Sequence, residues 1–411
     1  MGAVAAVCAT AQATPAGALE LKRGTQYVNV TSDDVLGNER SQYAAISANG
    51  RFVAFWSRAS NLAPGDTGDT DDVDDVYVKD LRTGRVHWAS DLAEGMDRGA
   101  PVVAPSISAD GLRVAYATLD ATRAYVYDVR TGRTTLVSDE AHAGFGTLNA
   151  PAISGNGRYV TFTARPAQDT ARPPLIRLRD LVRGTGEWVD DPWPGDEQRV
   201  TMPSLSHDGR YLAHLASGPG TDDAGDGKTH VYVLDRRTGE RVRVDPECAD
   251  DPAEYGVDDP VMGADGRHVV FRFKCRTLRP GGTNDTGDVF LKDLRSGTLR
   301  HVLGPKPQFA THTGRLSADG RHIVFVAAEE RVPRGPLQVI YLLDLRTGRT
   351  DMITARPDGT VNQRPASDPT VDAHGRAVAY DAVPRDLLGE SSTGGDRQVF
   401  VTHPRRGAQA G

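Results

Sequence analysis

The sequence predicts an all-β fold: a seven-bladed β-propeller of four-stranded antiparallel blades. Three observations predict it. A glycine in a tight-turn context recurs seven times, a common strand-and-turn pattern follows most recurrences, and helical periodicity is absent over any useful length. The glycines are Gly50, Gly111, Gly157, Gly209, Gly266, Gly320 and Gly375, at intervals of 46 to 61 residues. Four positions before each stands an apolar residue: Ile46, Ile107, Ile153, Leu205, Met262, Leu316 and Val371. Immediately before each stands Asn or Asp, except for His374 in the last unit. These side chains fold back onto their own backbone and glycine accepts positive φ, so the pair marks the hairpin between a first strand, a, and a second, b.

Strand b is read from large apolar residues three and five positions after the glycine. They are Val53/Phe55, Val114/Tyr116, Val160/Phe162, Val269/Phe271, Ile323/Phe325 and Val378/Tyr380, with Leu212/His214 in the fourth unit. The residue between them is mostly a small alanine, so both strand faces are expected to be buried. Strand c is the recurring Asp75-Val76-Tyr77-Val78-Lys79-Asp80, closed by a Thr-Gly or Ser-Gly turn. Strand d is short, as in Val86–Ala89 and Thr134–Val137.

Unit seven ends at its third strand, Gln398–Thr402, and the chain opens with an unpaired strand, Tyr27–Asp33. That opening strand resembles the fourth strands ending Ala89-Ser90-Asp91 and Val137-Ser138-Asp139, so it is expected to complete the last blade and close the ring. Closure removes two exposed sheet edges. The propeller is expected over 26–403, with 1–18 a signal-peptide remnant or disordered leader carrying Ala-x-Ala sites, and 404–411 a disordered tail.

These units resemble TolB-type propeller repeats, a WD-repeat-like β-propeller family. The resemblance rests on Ser108-Ala109-Asp110-Gly111 followed by Val114-Ala115-Tyr116, on Asn61-Leu62-Ala63-Pro64-Gly65-Asp66-Thr67, and on Asp75 to Leu81. It implies a fold and not an activity, because that repeat serves envelope proteins, peptidase propellers and lyases alike. Neither the α/β domain that precedes the TolB propeller nor the hydrolase domain that follows peptidase propellers is readable here.

Composition narrows the function classes. A formal charge of −7 and a pI near 5.9 speak against a general nucleic-acid binder. No run of 18 apolar residues exists, so no membrane span is expected. The three Cys residues form no metal pattern; Cys248 and Cys275 are expected close together and, in an exported protein, disulfide-bonded. The a–b and c–d turns carry Arg and Asp residues that should neutralise one another on one face. The opposite face is acidic. Its densest loop holds Asp66, Asp69, Asp71, Asp72, Asp74 and Asp75, the one candidate metal site, for calcium; no other cofactor is expected. Ser47, Ser108, Ser154, Ser206 and Ser317, with Asp372 as the one charged member, are expected to line or adjoin the central channel.

Catalytic motifs are absent. There is no Gly-x-Ser-x-Gly, His-Glu-x-x-His or Cys-x-x-Cys, and Gly225-Asp226-Gly227-Lys228-Thr229 precedes a strand where a phosphate loop needs a helix. His214 is read as a core histidine with its hydrogen bonds satisfied. The sequence therefore points to an exported, non-catalytic scaffold in the secreted or envelope compartment. It would act as a monomer, binding a protein or glycan through the acidic face or channel mouth. The alternative is an enzyme on the same ring, such as a metal-assisted polysaccharide lyase.

Overall fold

A computed structural model of the chain describes residues 24–64, 74–91, 104–118, 123–138, 151–164, 175–189, 199–217, 228–248, 256–275, 278, 287–305, 309–329, 337–356, 365–384, 387 and 396–404. They form seven four-stranded antiparallel sheets, the predicted blades. Blade one is β2 (Ser41–Ile46), β3 (Phe52–Ser57), β4 (Asp75–Asp80) and β5 (Val86–Trp88). Blade two is β6 (Ser106–Ile107), β7 (Arg113–Ala117), β8 (Ala124–Asp128) and β9 (Arg133–Leu136). Blade three is β10 (Ala152–Ile153), β11 (Tyr159–Ala164), β12 (Leu175–Asp180) and β13 (Thr185–Val189). Blade four is β14 (Arg199–Leu205), β15 (Tyr211–Ser217), β16 (Thr229–Asp235) and β17 (Arg241–Arg243). Blade five is β18 (Gly256–Met262), β19 (His268–Lys274), β20 (Asp288–Asp293) and β21 (Leu299–Val302). Blade six is β22 (Phe309–Leu316), β23 (His322–Glu329), β24 (Leu337–Asp344) and β25 (Thr350–Met352). Blade seven combines β26 (Ala366–Val371), β27 (Val378–Ala382) and β28 (Gln398–His403) with β1 (Gly24–Tyr27).

The core lies between blades. Each of the seven apolar clusters joins two neighbouring blades, so every sheet is buried on both faces. This is why strands b and c read as continuous apolar runs. The inner strands meet around the axis, and their a–b turns are tied by backbone hydrogen bonds. Asn49 N–H donates to Ala109 O (3.2 Å), Ala109 N–H to Gly155 O (2.8 Å), and Ala373 N–H back to Ala48 O (2.8 Å). The turn glycines have φ between 66° and 76°. Gly111 is also a close-approach site: a Cβ there would lie 2.3 Å from Cδ2 of Phe52 in blade one.

The turn face neutralises itself, as the sequence implies. Arg51 forks onto Asp80 (2.7 Å), Arg158 onto Asp180 (2.6 Å) and Arg267 onto Asp293 (2.5 Å), each running from an a–b turn to a c–d turn. The Arg158 hydrogen bonds hold the Asp180 carboxyl near 2.

Ring closure differs from expectation by three residues. The closing strand is Gly24–Tyr27, paired to β28 with Tyr27 opposite Phe400. The residue equivalent to Ser90 and Ser138 is Asn29 rather than Ser32. In six blades a buried polar side chain accepts an N–H from the first half of strand c; in five of them it stands two residues past strand d, and for blade five it is Thr311 of β22. The pairs are Ser90 with Val76 (2.9 Å), Ser138 with Ala124 (3.1 Å), Asp245 with Val231 (2.7 Å), Thr311 with Val289 (2.9 Å), Thr354 with Ile340 (3.1 Å) and Asn29 with Val399 (3.1 Å). Past Asn29 the chain crosses to blade one, where the buried Lys79 ammonium donates to Val30 O (2.7 Å) and Thr31 O (3.0 Å). Burial pulls the Lys79 pKa down to about 8.

Asn29→Ala removes the acceptor for Val399 N–H in a fully buried site. The variant is expected to lose about 1–3 kcal/mol of stability, read from the denaturant midpoint at unchanged slope. An unchanged midpoint would refute the closing role of this side chain.

Candidate functional site

The inner strands carry the chemistry. In blades one, four, five, six and seven, pairing of strand a with strand b slips between Gln42/Ala45, Thr201/Ser204, Asp258/Val261, His312/Arg315 and Ser367/Thr370. Within each slip one non-glycine residue takes positive φ: Tyr43 (57°), Met202 (53°), Asp259 (50°), Thr313 (45°) and Asp368 (50°). A bulged residue leaves the ladder, and a side chain at positive φ carries strain of about 1–3 kcal/mol. In three of these blades the next residue is proline, at Pro203, Pro260 and Pro369. Proline has no N–H for the ladder, which favours a bulge there. Such a proline inside an otherwise regular strand is the sequence signal for three of these positions, while Tyr43 and Thr313 carry no such mark.

The bulges of blades five, six, seven and one gather a chain of alternating charges near the start of strand a. Arg272 pairs with Asp258 on adjacent strands of blade five, and its guanidinium lies 3.5 Å from Nδ1 of His312 in blade six. Arg315 of blade six reaches back to Asp259 of blade five at 2.7 Å. In blade seven, Arg397 holds Asp381 at 2.5 Å, and the Ser367 hydroxyl donates to the same carboxylate at 3.0 Å. Asp381 also accepts the Tyr43 N–H of blade one at 3.4 Å. Burial, and then the charge of Asp368, pushes the Asp381 carboxyl up to about 6. Burial likewise raises Asp368, against the pull of Arg315. Burial raises the Tyr43 phenol, with Asp368 and Asp381 adding to it and Arg397 and Arg40 opposing.

Tyr43 is the one aromatic among the exposed large apolar side chains of the described residues, at 41% accessibility. Its ring meets Trp56 edge-on at 6.2 Å, and the Arg40 guanidinium lies over the same indole at 5.1 Å.

The residues singled out from sequence fall elsewhere. Ser47, Ser108, Ser154, Ser206 and Ser317 are fully buried where strand a ends. Each hydroxyl accepts the N–H five residues on and donates to the turn Asn or Asp, as Ser47 does with Phe52 (3.0 Å) and Asn49 (2.6 Å). Asp372 does related work in blade seven, accepting Arg376 N–H at 2.7 Å. Asp66, Asp69, Asp71 and Asp72 lie outside the described residues. Asp74 pairs with Arg58 at 2.7 Å, and Asp75 accepts the Ser90 hydroxyl. Asp258 and Asp259 are strand residues with arginine partners. Cys248 and Cys275 are joined by a disulfide, Cα atoms 5.9 Å apart, at the base of blade five.

His214 departs from expectation. It is buried as read, stacked on Tyr232 at 6.1 Å, but among the described residues neither ring nitrogen has a hydrogen-bond partner. Burial, with Arg241 nearby, pushes its pKa down to about 3, so the ring is neutral. His207 and His374 sit in a–b turns, and His230 is buried against Asp245 at 2.9 Å. Among the described residues no group of three His, Cys, Asp or Glu is placed to hold a metal ion.

Two predictions follow from this geometry. His214→Phe restores the aromatic type found at this position in the other blades and removes two unpaired nitrogens. It should raise stability by about 1–3 kcal/mol in denaturant unfolding, and a loss would show that the imidazole is held by something not yet seen. Asp368 has a raised folded-state pKa, so its contribution is present below the unfolded value near 4 and is lost as pH rises through the folded value. Asp368→Asn should therefore gain melting temperature relative to the parent as pH rises from about 4 to about 8. A difference that is flat or falls with pH would contradict this.

No protein-family model and no curated protein matches the chain by sequence. Solved structures match in fold. An oligogalacturonate lyase in complex with manganese is 14% identical, with TM-score 0.59, covering 89% of this chain and 90% of that one. An oligogalacturonate lyase from Vibrio parahaemolyticus is 13% identical, with TM-score 0.58, covering 93% and 99%. The propeller domain of the Trilobed protease from Pyrococcus furiosus, described as having an open velcro topology, is 12% identical, with TM-score 0.55, covering 89% and 94%. At these identities the likeness is one of fold: the chain is a seven-bladed β-propeller, similar in fold to lyase and peptidase propellers.

Proposed function

We propose that this protein is an exported binding propeller that takes up a glycan where the inner strands of blades seven and one meet. The observation that carries the reading is Tyr43, a bulky side chain held exposed at φ 57° over Trp56 and flanked by hydrogen-bonding carboxylates and guanidinium groups. Strain in a side chain with no packing reason to be exposed points to a task at that spot. An exposed aromatic face suits the C–H face of a sugar ring, while Asp and Arg groups suit its hydroxyls. The Cys248–Cys275 disulfide supports an oxidising compartment. Among the described residues no helix is long and apolar enough to cross a membrane. In this reading the protein acts as a monomer, without nucleic acid.

A metal-assisted polysaccharide lyase is the second reading, favoured by the two lyases that match nearly the whole chain in fold. The described histidines do not converge, and the described residues do not fit a transition-metal centre.

Calorimetry with a panel of neutral and acidic oligosaccharides, using the parent and Tyr43→Gly, tests the proposal. Glycine accepts the positive φ, so the variant should fold with its stability retained, and binding should weaken about tenfold or more. Equal binding by the two proteins would refute the assigned site. Stoichiometric transition metal in the purified protein, with appearance of an unsaturated product, would favour the lyase.

A further inference from the structure

The charges around Tyr43 do not all pair. Asp258, Asp259 and Asp381 are matched by Arg272, Arg315 and Arg397. Two charged groups beside Tyr43 remain outside these pairs: the Asp368 carboxylate and the Arg40 guanidinium. The Arg40 guanidinium donates no hydrogen bond to, and forms no ion pair with, any described residue, and its Nε is buried without a partner among them. Its backbone is committed, since the Arg40 carbonyl accepts Arg58 N–H at 3.0 Å. Its side chain rests over the Trp56 ring at 5.1 Å. A guanidinium held over an indole keeps its planar fork pre-organised, and a buried N–H left unpaired is costly unless something completes it. The fork geometry matches a carboxylate.

We infer that Arg40 is the anchor for a carboxylate on the bound glycan, so that the ligand class is an acidic, uronate-bearing oligosaccharide. The inference rests on the glycan reading above and adds the charge of the ligand. One sugar unit would meet three groups: its C–H face the Tyr43 ring, a hydroxyl the Asp368 carboxylate, and its carboxylate the Arg40 fork. The other charges that face this spot are Asp381 and Arg397, already paired with each other at 2.5 Å, so they add little net field. A carboxylate arriving at Arg40 therefore gains a partner without breaking an existing pair.

The test is calorimetric titration of the full chain with three probes: a uronic-acid oligomer, the same oligomer with its carboxyl groups reduced to alcohols, and inorganic phosphate. The parent should bind the acidic oligomer about tenfold or more tighter than the reduced one, and Arg40→Gln should abolish that preference while still binding the reduced oligomer. Arg40→Lys keeps the charge but loses the fork, so it should retain only part of the preference, which keeps the test readable if the glutamine variant fails to fold. Equal binding of both oligomers, or a preference that survives Arg40→Gln, would overturn the role of Arg40 and leave the glycan reading standing. Binding of phosphate alone, or of no probe, would overturn both.

Discussion

Closure is the constraint on which the rest of this structure depends. Each apolar core lies between two sheets, so an open row of blades would leave one face of the first and last blades exposed to water. The cluster joining Val53, Phe55 and Tyr77 of blade one to Val399 and Val401 of blade seven exists only when the ends meet. The chain secures that junction with its own opening segment. β1 zips onto β28, Val28 enters the joint core, Asn29 latches the start of β28, and Lys79 grips the chain as it crosses to blade one. A buried lysine whose pKa is drawn down to about 8 is an expensive way to hold two carbonyls, and it grips the segment that links the closing strand to blade one.

The same junction shapes the candidate site. Blades seven and one meet along the axis through side chains as well as turns: the Thr370 hydroxyl accepts Ile46 N–H at 3.0 Å and donates to Ala44 O at 3.1 Å. The bulges of these two strands bring Tyr43 and Asp368 to one place, and Asp381 spans the joint through its contact with the Tyr43 amide. Strain and buried charge collect where the ring is closed. The turn face, in contrast, holds its carboxylates in low-pKa forks and leaves little unpaired. One face behaves as structure, while backbone strain and buried charge collect on the inner strands.

Much of this was legible in the chain. Gly50 and its equivalents announce hairpins because only glycine takes the required φ beside a close neighbour such as Phe52, and that requirement is local. The Val-x-Phe pairs announce buried strands because alternation is also local. The short d strands were read less well. Asn29 and Ser90 do the same work, yet they share only a side-chain oxygen, so the pattern of residues slid the closing strand by three positions. His214 shows a similar limit: its burial followed from its place in the strand, but whether its nitrogens would find partners depended on what surrounds them across the sheet.

Spacing and turn chemistry alone thus determined the number of blades, their internal order and the fact that the beginning of the chain completes its end, because each is written in contacts a few residues apart or in a period repeated seven times. Only the tertiary structure decided that Arg315 would reach Asp259 in the blade before it, that Tyr43 would lie under the influence of Asp368 and Asp381 from the far end of the chain, and that the Arg40 guanidinium would lie over Trp56 with its Nε unpaired among the described residues. These pairings join residues that no local pattern relates. They arise from the rotation of one sheet relative to the next and from bulges that turn single side chains off the strand, and both are set when the ring closes.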